Sequence, residues 1–300
     1  MRAAGAFVAA IIATVPALAQ PADKSAPKSG EPEYVIVAVE TPEQKARREL
    51  AVVFGDHARQ SPREITLSNG VGVVTLAEGE GFLSGPEADQ VRRDIWKAPI
   101  TGKIEGILTP AGGSFDNLAA GHFTITYVDS RMRTPFTKVD SDLMLFGLQS
   151  RAEALIEELP ADRRYKANYT WAVSPVIAEA GQTIYFVVRQ EVEGGGVRLF
   201  ATVARAGRYG VITAAGRISE TGLATFAQTA ESLLKRIAFN PGQRFKDFNG
   251  ALDRDATRKK VDINRIWDLV FSPLGWVFIA PFALVIVGVA SMVRGKKGKT

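Results

Sequence analysis

The chain has 300 residues, 37 Lys and Arg against 32 Asp and Glu for a formal charge of +5, no cysteine and two histidines. Zero cysteine excludes thiol nucleophiles, disulfide frameworks, zinc ribbons and iron–sulfur ligation, and two histidines cannot build a three-histidine metal site. A hydrophobic fraction of 46% with 23% charged residues is that of a globular chain rather than a disordered one.

At the N-terminus Met1-Arg2 is a short positive region, Ala3 to Val15 an almost unbroken apolar run, and Ala17-Leu18-Ala19 a small-x-small pattern behind Pro16. This order is that of a secretory signal peptide over residues 1–19; the alternative is an uncleaved anchor, and export follows from both. Gln20 to Glu33 carries three prolines and no large apolar residue, as expected of a flexible leader.

Tyr34 to Val39 reads as a β-type run. Thr41-Pro42-Glu43-Gln44 then has capping-box order and predicts a helix to about Phe54, stopped by Gly55. Glu64–Leu67 and Val71–Leu76 read as a hairpin across Asn69-Gly70. Ser84-Gly85-Pro86-Glu87 starts a predicted helix to about Lys97, and Lys103–Leu108 and Gly121–Val128 read as strands around a Gly-rich loop. A helix is expected from about Asp140 to Leu159, with Leu148, Ala152, Leu155, Ile156 and Leu159 on its buried face and Pro160 as its stop.

Tyr169–Val173, Thr183–Gln190, Val197–Arg205 and Tyr209–Ala215 are β-rich runs joined by short links containing glycine, so an antiparallel meander is expected; parallel crossovers need a dozen or more residues. Leu223, Phe226, Ala227, Ala230, Leu233, Leu234 and Ile237 then form one helical stripe suited to cover a sheet face. The expected class is α+β, antiparallel sheet packed with amphipathic helices, over residues 34–260, with a division near 131–138.

After a juxtamembrane segment at 261–273, Leu274 to Val293 is twenty residues without a charge, the length of a transmembrane helix. Trp267 and Trp276 sit at its start as interfacial aromatics would, and Pro281 is tolerable in lipid. Arg294, Lys296, Lys297 and Lys299 make residues 294–300 a basic tail. Arg254, Arg258, Lys259, Lys260 and Arg265 on the other flank prevent the positive-inside count from fixing orientation. The N-terminal signal fixes it instead: residues from about 20 to 265 lie outside the cytoplasm and the tail inside, in a bacterial cytoplasmic membrane. With Arg2 and the four tail charges set aside, residues 3–293 carry no net charge. The apparent basicity is therefore topogenic, and nucleic acid is not an expected partner.

Gly72 to Leu76 with Gly81-Phe82-Leu83, then Tyr169-Thr170-Trp171-Ala172, and above all Phe239-Asn240-Pro241-Gly242-Gln243-Arg244-Phe245-Lys246-Asp247-Phe248 with Asp253 make the stretch Glu64–Arg258 similar to a bacterial family. That family is a domain of unknown function whose members carry a signal peptide, an extracytoplasmic domain and a C-terminal membrane anchor. Where the family has Leu-Gly-Arg, this chain has a triple glycine within Val192–Val197. The resemblance implies topology and fold and imports no activity. It marks Trp171, Arg244, Asp247 and Asp253 as candidate interaction or family-motif residues. Read alone, Asn240-Pro241-Gly242 is a turn, Phe245 and Phe248 are core, and Arg244 and Asp247 are spaced to pair.

No catalytic motif is complete. Ser84 is one position late for a nucleophile elbow and reads as a helix cap. Neither Gly70-Val71-Gly72 nor Gly194–Gly196 completes a dinucleotide or phosphate loop, and Asp253-Arg254-Asp255 lacks the rest of a calcium loop. His57 follows Asp56 in a polar link and His122 begins a strand, without a nucleophile motif to serve. Glu153, Glu157 and Glu158 with Arg151 read as a solvated helix face, and Arg163-Arg164-x-Lys166 as loop charge. No catalytic residue, cofactor or metal is expected. The leading reading is an envelope interaction or accessory binding protein with the bilayer and a membrane or envelope protein as partners. The alternatives are a membrane-tethered hydrolase using paired carboxylates and a ligand sensor, whose partner helix would pack on Gly288-Val289-Ala290-Ser291.

Overall fold

The computed structural model describes residues 41–253 apart from 68–69, 97–103, 117–120, 132, 138, 160 and 162–163. The run at 34–39, the signal-like segment and the apolar span at 274–293 lie outside the described residues. Among those described, no helix is long and apolar enough to cross a membrane. Residues 41–45 are the described part of a first unit, Met1–Lys45; all others belong to a second, Ala46–Thr300.

The capping box at Thr41 forms: its hydroxyl accepts from the Gln44 N–H at 3.2 Å and the Gln44 side chain accepts from the Thr41 N–H at 2.8 Å. Helix α1 spans Pro42–Arg59, running past Gly55, the expected stop, because Ala51, Phe54, Gly55 and Ala58 continue one buried stripe. β1 (Glu64–Thr66) and β2 (Gly72–Thr75) are the expected antiparallel hairpin, and Gly70 takes the φ of +70° that its turn requires. β3 (Gly81–Ser84) is a strand that was not expected; it leads directly into α2 (Gly85–Gln90), where Ser84 holds the N-cap position but its hydroxyl donates to the Glu87 carboxylate at 3.1 Å and caps no backbone N–H, and into a π-helical turn over Val91–Ile95.

β4 (Gly106–Thr109) and β5 (Phe123–Asp129) pair antiparallel, and α3 (Ser141–Glu157) begins on Asp140, whose carboxylate accepts from the N–H groups of Asp142 and Leu143. The meander is β6 (Ala167–Ala178), β7 (Thr183–Val192), β8 (Val197–Ala206) and β9 (Gly210–Ile218). α4 (Glu220–Ala224), α5 (Phe226–Arg236) and β10 (Ile237–Phe239) complete the described elements. The stripe on α5 is as expected at Phe226, Ala230, Leu233 and Leu234; Ala227 is exposed, and Ile237 belongs to the strand that ends the helix.

Seven strands form one antiparallel sheet in the order β3-β4-β5-β9-β8-β7-β6, and β1-β2-β10 form a second. The large sheet contains strands from both sides of the 131–138 segment. Both of its faces are covered. On one face Ile184, Phe186, Val188, Phe200 and Ala204 pack with Phe54 and Ala58 of α1, Val91 and Ile95 after α2, and Met144, Leu148 and Ala152 of α3. On the other, Val187, Leu199, Val203, Ile212 and Ala214 pack with Phe226, Ala230 and Leu233 of α5 and with Val74, Ile237 and Phe239 of the small sheet. An antiparallel sheet covered twice reads as continuous apolar strands, which is why β8 and β9 show little alternation. Each of these large side chains contributes about 1.5–3 kcal/mol by leaving water. The fold is α+β.

Candidate functional site

The side chains of a strand alternate between faces, so the register of the large sheet states which residues share the helix-covered face. On β8 these are Arg198, Phe200, Thr202 and Ala204. Tyr169 of β6 pairs with Gln190 of β7, and Gln190 with Arg198. Phe200 pairs with Arg217 of β9, so the two arginines are diagonal neighbours, with Cα atoms about 7–8 Å apart. One step inward, Ala215 lies between Thr202 of β8 and Thr124 of β5. A polar row thus crosses the end of an otherwise apolar layer.

The row is internally bonded. The Gln190 amide donates to the Tyr169 hydroxyl at 2.7 Å, Arg198 Nη1 reaches Gln190 Oε1 at 3.4 Å, and the Arg198 guanidinium lies 5.6 Å from the centre of the Tyr165 ring. Gln190 is fully buried and Arg198 is 7% exposed. Burial raises the phenol pKa values of Tyr165 and Tyr169, so both stay protonated donors. Burial, with the Arg198 charge adding to it, brings Arg217 down to about 10. Ala215 and Arg217 are partly exposed although Thr213, Ala214 and Gly216 beside them are buried and helices cover this face. The polar row therefore stands where the layer is partly open to solvent, at Ala215 and Arg217.

Trp171, a family-motif residue, is in the next step of β6 and meets the Phe186 ring edge-on at 5.4 Å. Its indole Nε1 is buried and has no hydrogen-bond partner among the described residues. His122 corrects the expectation of a mere strand-end residue: it is 2% exposed, its Nε2 donates to the Ser114 carbonyl at 2.9 Å and its ring stacks on Phe115 at 4.8 Å. Burial lowers its pKa, against the opposing Ser114 hydrogen bond and the Asp116 charge. Gly216 is required here, since a Cβ on it would lie 1.9 Å from the His122 carbonyl oxygen.

The other motif residues gather at the opposite end of the sheet. Asp253 accepts from Arg208 Nε at 2.7 Å and Nη2 at 2.9 Å, from the Asn249 N–H at 2.7 Å, and from the Tyr209 hydroxyl. Its side chain is 2% exposed. The Arg208 hydrogen bonds, against a smaller cost of burial, hold its carboxyl far below the usual range. Arg244 and Asp247 do not meet as a side-chain ion pair of the expected kind; Asp247 caps a 3-10 turn by accepting from the backbone N–H of Gly242 at 2.7 Å and of Arg244 at 3.0 Å. Phe245 and Phe248 are half-buried rather than core, and the Arg133 guanidinium lies 4.8 Å and 4.1 Å from their ring centres. Asn240 bonds through its side chain to the Gly70 carbonyl at 2.8 Å. The Asn240–Asp253 motif is therefore a clasp that joins the β8–β9 turn to the β1–β2 hairpin.

Residues 59–258 match a family described as "Protein of unknown function (DUF2167)". The chain belongs to this family. The match contains the polar row, the clasp and every described strand. No curated protein matches the chain. Among solved structures it is similar to the solution structure of cyanobacterial PsbP (CyanoP) from Synechocystis sp. PCC 6803, at 11% identity and a TM-score of 0.34, covering 60% of this chain and 95% of that one.

Glu153, Glu157 and Glu158 are exposed on α3, with the Gln149 amide on Glu153 at 2.8 Å. Gly194–Gly196 form the β7–β8 turn. His57 lies 3.4 Å from the Glu87 carboxylate at the surface. No group of three or more metal-ligating side chains occurs among the described residues, and residues 254–255 of the Asp253-Arg254-Asp255 run lie outside them.

Proposed function

We propose that the DUF2167 chain is a membrane-tethered, extracytoplasmic accessory protein that works by binding. The observation that carries this reading is the polar row of guanidinium, phenol and amide groups across one end of the sheet, whose members bond to one another rather than stand poised for proton transfer. Proton-transfer catalysis calls for a group whose pKa is brought near the working pH, and the shifts along the row run the other way. The Tyr165 and Tyr169 phenols are raised, and Arg217, even lowered to about 10, stays charged. The buried Asp253 carboxylate and the partly buried Glu80 carboxylate are each held by an arginine, Arg208 and Arg236.

Leu274–Val293 is the tether, entering the cytoplasmic membrane of a bacterium with residues 294–300 inside, and residues 1–19 direct export. An envelope or membrane protein is the partner, reached from the outer face of that membrane. Exposed Leu143 and Phe146 on α3 offer a site for its detection. A photoreactive residue at Phe146, activated in intact membranes, should give a discrete adduct with one membrane or envelope protein. Turnover of envelope glycans by the purified full chain, lost when an exposed glutamate such as Glu153 is neutralised, would overturn the binding reading in favour of a hydrolase.

A further inference from the structure

We propose that the outer face of α3 docks an amphipathic, basic helix of the partner protein, whose apolar residues seat on Leu143, Phe146 and Gly147 and whose lysines or arginines meet Glu157 and Glu158. The inference rests on the reading that the domain works by binding an envelope or membrane protein, and adds the surface and the chemistry of the contact.

Helix geometry defines the face. Met144, Leu148, Ala152 and Ile156 share the buried side of α3. Leu143, Gly147, Ser150 and Ala154, at spacings of four, three and four, stand on the opposite side with Phe146 beside them, and all five are exposed. Glu157 and Glu158 continue this strip, one on each of its edges. An apolar seam flanked by charges is the pattern by which helices select helical partners, and the stretch from Leu143 to Glu158, about 24 Å, accommodates two heptads.

Three features of the strip are unfavourable to α3 by itself. Leu143 and Phe146, one turn apart, are 55% and 69% exposed and form an apolar patch in water. Gly147 weakens a helix interior, yet a Cβ on it would meet nothing within 4 Å, so no described neighbour requires the glycine. A partner whose backbone comes close does require it. Glu157 and the C-cap Glu158 stand at the negative end of the helix dipole, in a last turn that holds no basic residue. A phenyl knob beside a glycine hole, with two carboxylates where cations are preferred, is satisfied at every point by a basic helix lying along the strip.

Charge selects the occupant. Over residues 140–158 the five carboxylates of Asp140, Asp142, Glu153, Glu157 and Glu158 are opposed by Arg151 alone, a net charge of −4. Anionic headgroups are repelled by such a surface. A second copy of α3, laid parallel or antiparallel, sets acid against acid at both ends. A helix carrying Lys or Arg gains at those same positions.

The test is site-specific photocrosslinking of the full chain in intact membranes, with the photoreactive residue at Leu143 and, in parallel, at exposed Ala227 on α5, and with the crosslinked peptide sequenced by mass spectrometry. From Leu143 a single partner peptide is expected, with apolar residues at three-and-four spacing and more Lys and Arg than Asp and Glu. Gly147→Leu closes the hole with a stronger helix former, and Glu157→Lys combined with Glu158→Lys reverses the charge in the sense that the dipole favours. Both variants should keep or raise the thermal midpoint and cut the adduct from Leu143 about five-fold or more, since each removes one half of the seam's complementarity. Glu231→Lys, an exposed position on α5, should leave the yield unchanged. An acidic partner peptide, a lipid adduct, an adduct with a second copy of this chain, or an undiminished yield in either variant would overturn the proposal. A partner captured from Ala227 and not from Leu143 would overturn it while leaving the binding reading intact, whereas no protein adduct from either position would remove both.

Discussion

At the scale of single residues, two side chains bury ionisable groups in opposite ways, and each sets a pH dependence. His122 is kept neutral by burial, so its folded pKa lies below the ordinary 6.5. Between those two values the unfolded chain holds the extra proton, and stability present above pH 6.5 is lost as pH falls. Thermal unfolding of the wild type should therefore drop more steeply between pH 7.5 and 5.5 than that of His122→Phe, which keeps an aromatic ring against Phe115; equal slopes would remove the assignment. Asp253 is held ionised by Arg208, and its contribution is present above the ordinary carboxyl value of 3.8 and lost on further acidification. Asp253→Asn should lower the melting temperature at pH 7, and the gap to wild type should narrow as pH falls from 5 to 2. A gap that stays constant would mean that the carboxylate charge is not what holds the clasp.

At the scale of elements, the chain's local signals and its tertiary choices separate cleanly. The Thr41–Gln44 capping box, the turn at Gly70 and the glycine links of the meander are local devices, and each is legible because its chemistry acts within a few residues. β3 was not legible: four residues between a turn and a helix cap have too little pattern, and pairing with β4 alone makes them a strand. The extension of β6 through Pro175 to Ala178 was equally hidden. It is an edge strand with register shifts between Trp171 and Val176, where a missing N–H is tolerated.

The polar row could not be seen as a motif, since Tyr169, Gln190, Arg198 and Arg217 come from four strands. A signal for it did exist, in charged residues standing at same-face positions of strands otherwise apolar on both faces. α5 offers the clearest element-scale prediction. Phe226 is 1% exposed and meets the Tyr185 ring edge-on at 5.9 Å, so Phe226→Ala should cost about 3–5 kcal/mol in denaturant unfolding. Ala227→Ser on the exposed side should change stability by less than about 0.5 kcal/mol.

At the scale of the whole molecule, a neutral domain stands between two segments that read as addressing signals. The seven-stranded sheet is covered on both faces, with the polar row at one end and the clasp at the other, where the described residues end at Asp253. A binding domain outside the membrane, followed in the chain by a tether, is the division of labour proposed for this chain. Protease added to the outside of intact bacterial spheroplasts, with an epitope after Thr300, tests it most directly. Residues 41–253 should be digested from outside while the epitope survives on a short membrane-embedded fragment. Protection of the domain, or loss of the epitope without lysis, would contradict it.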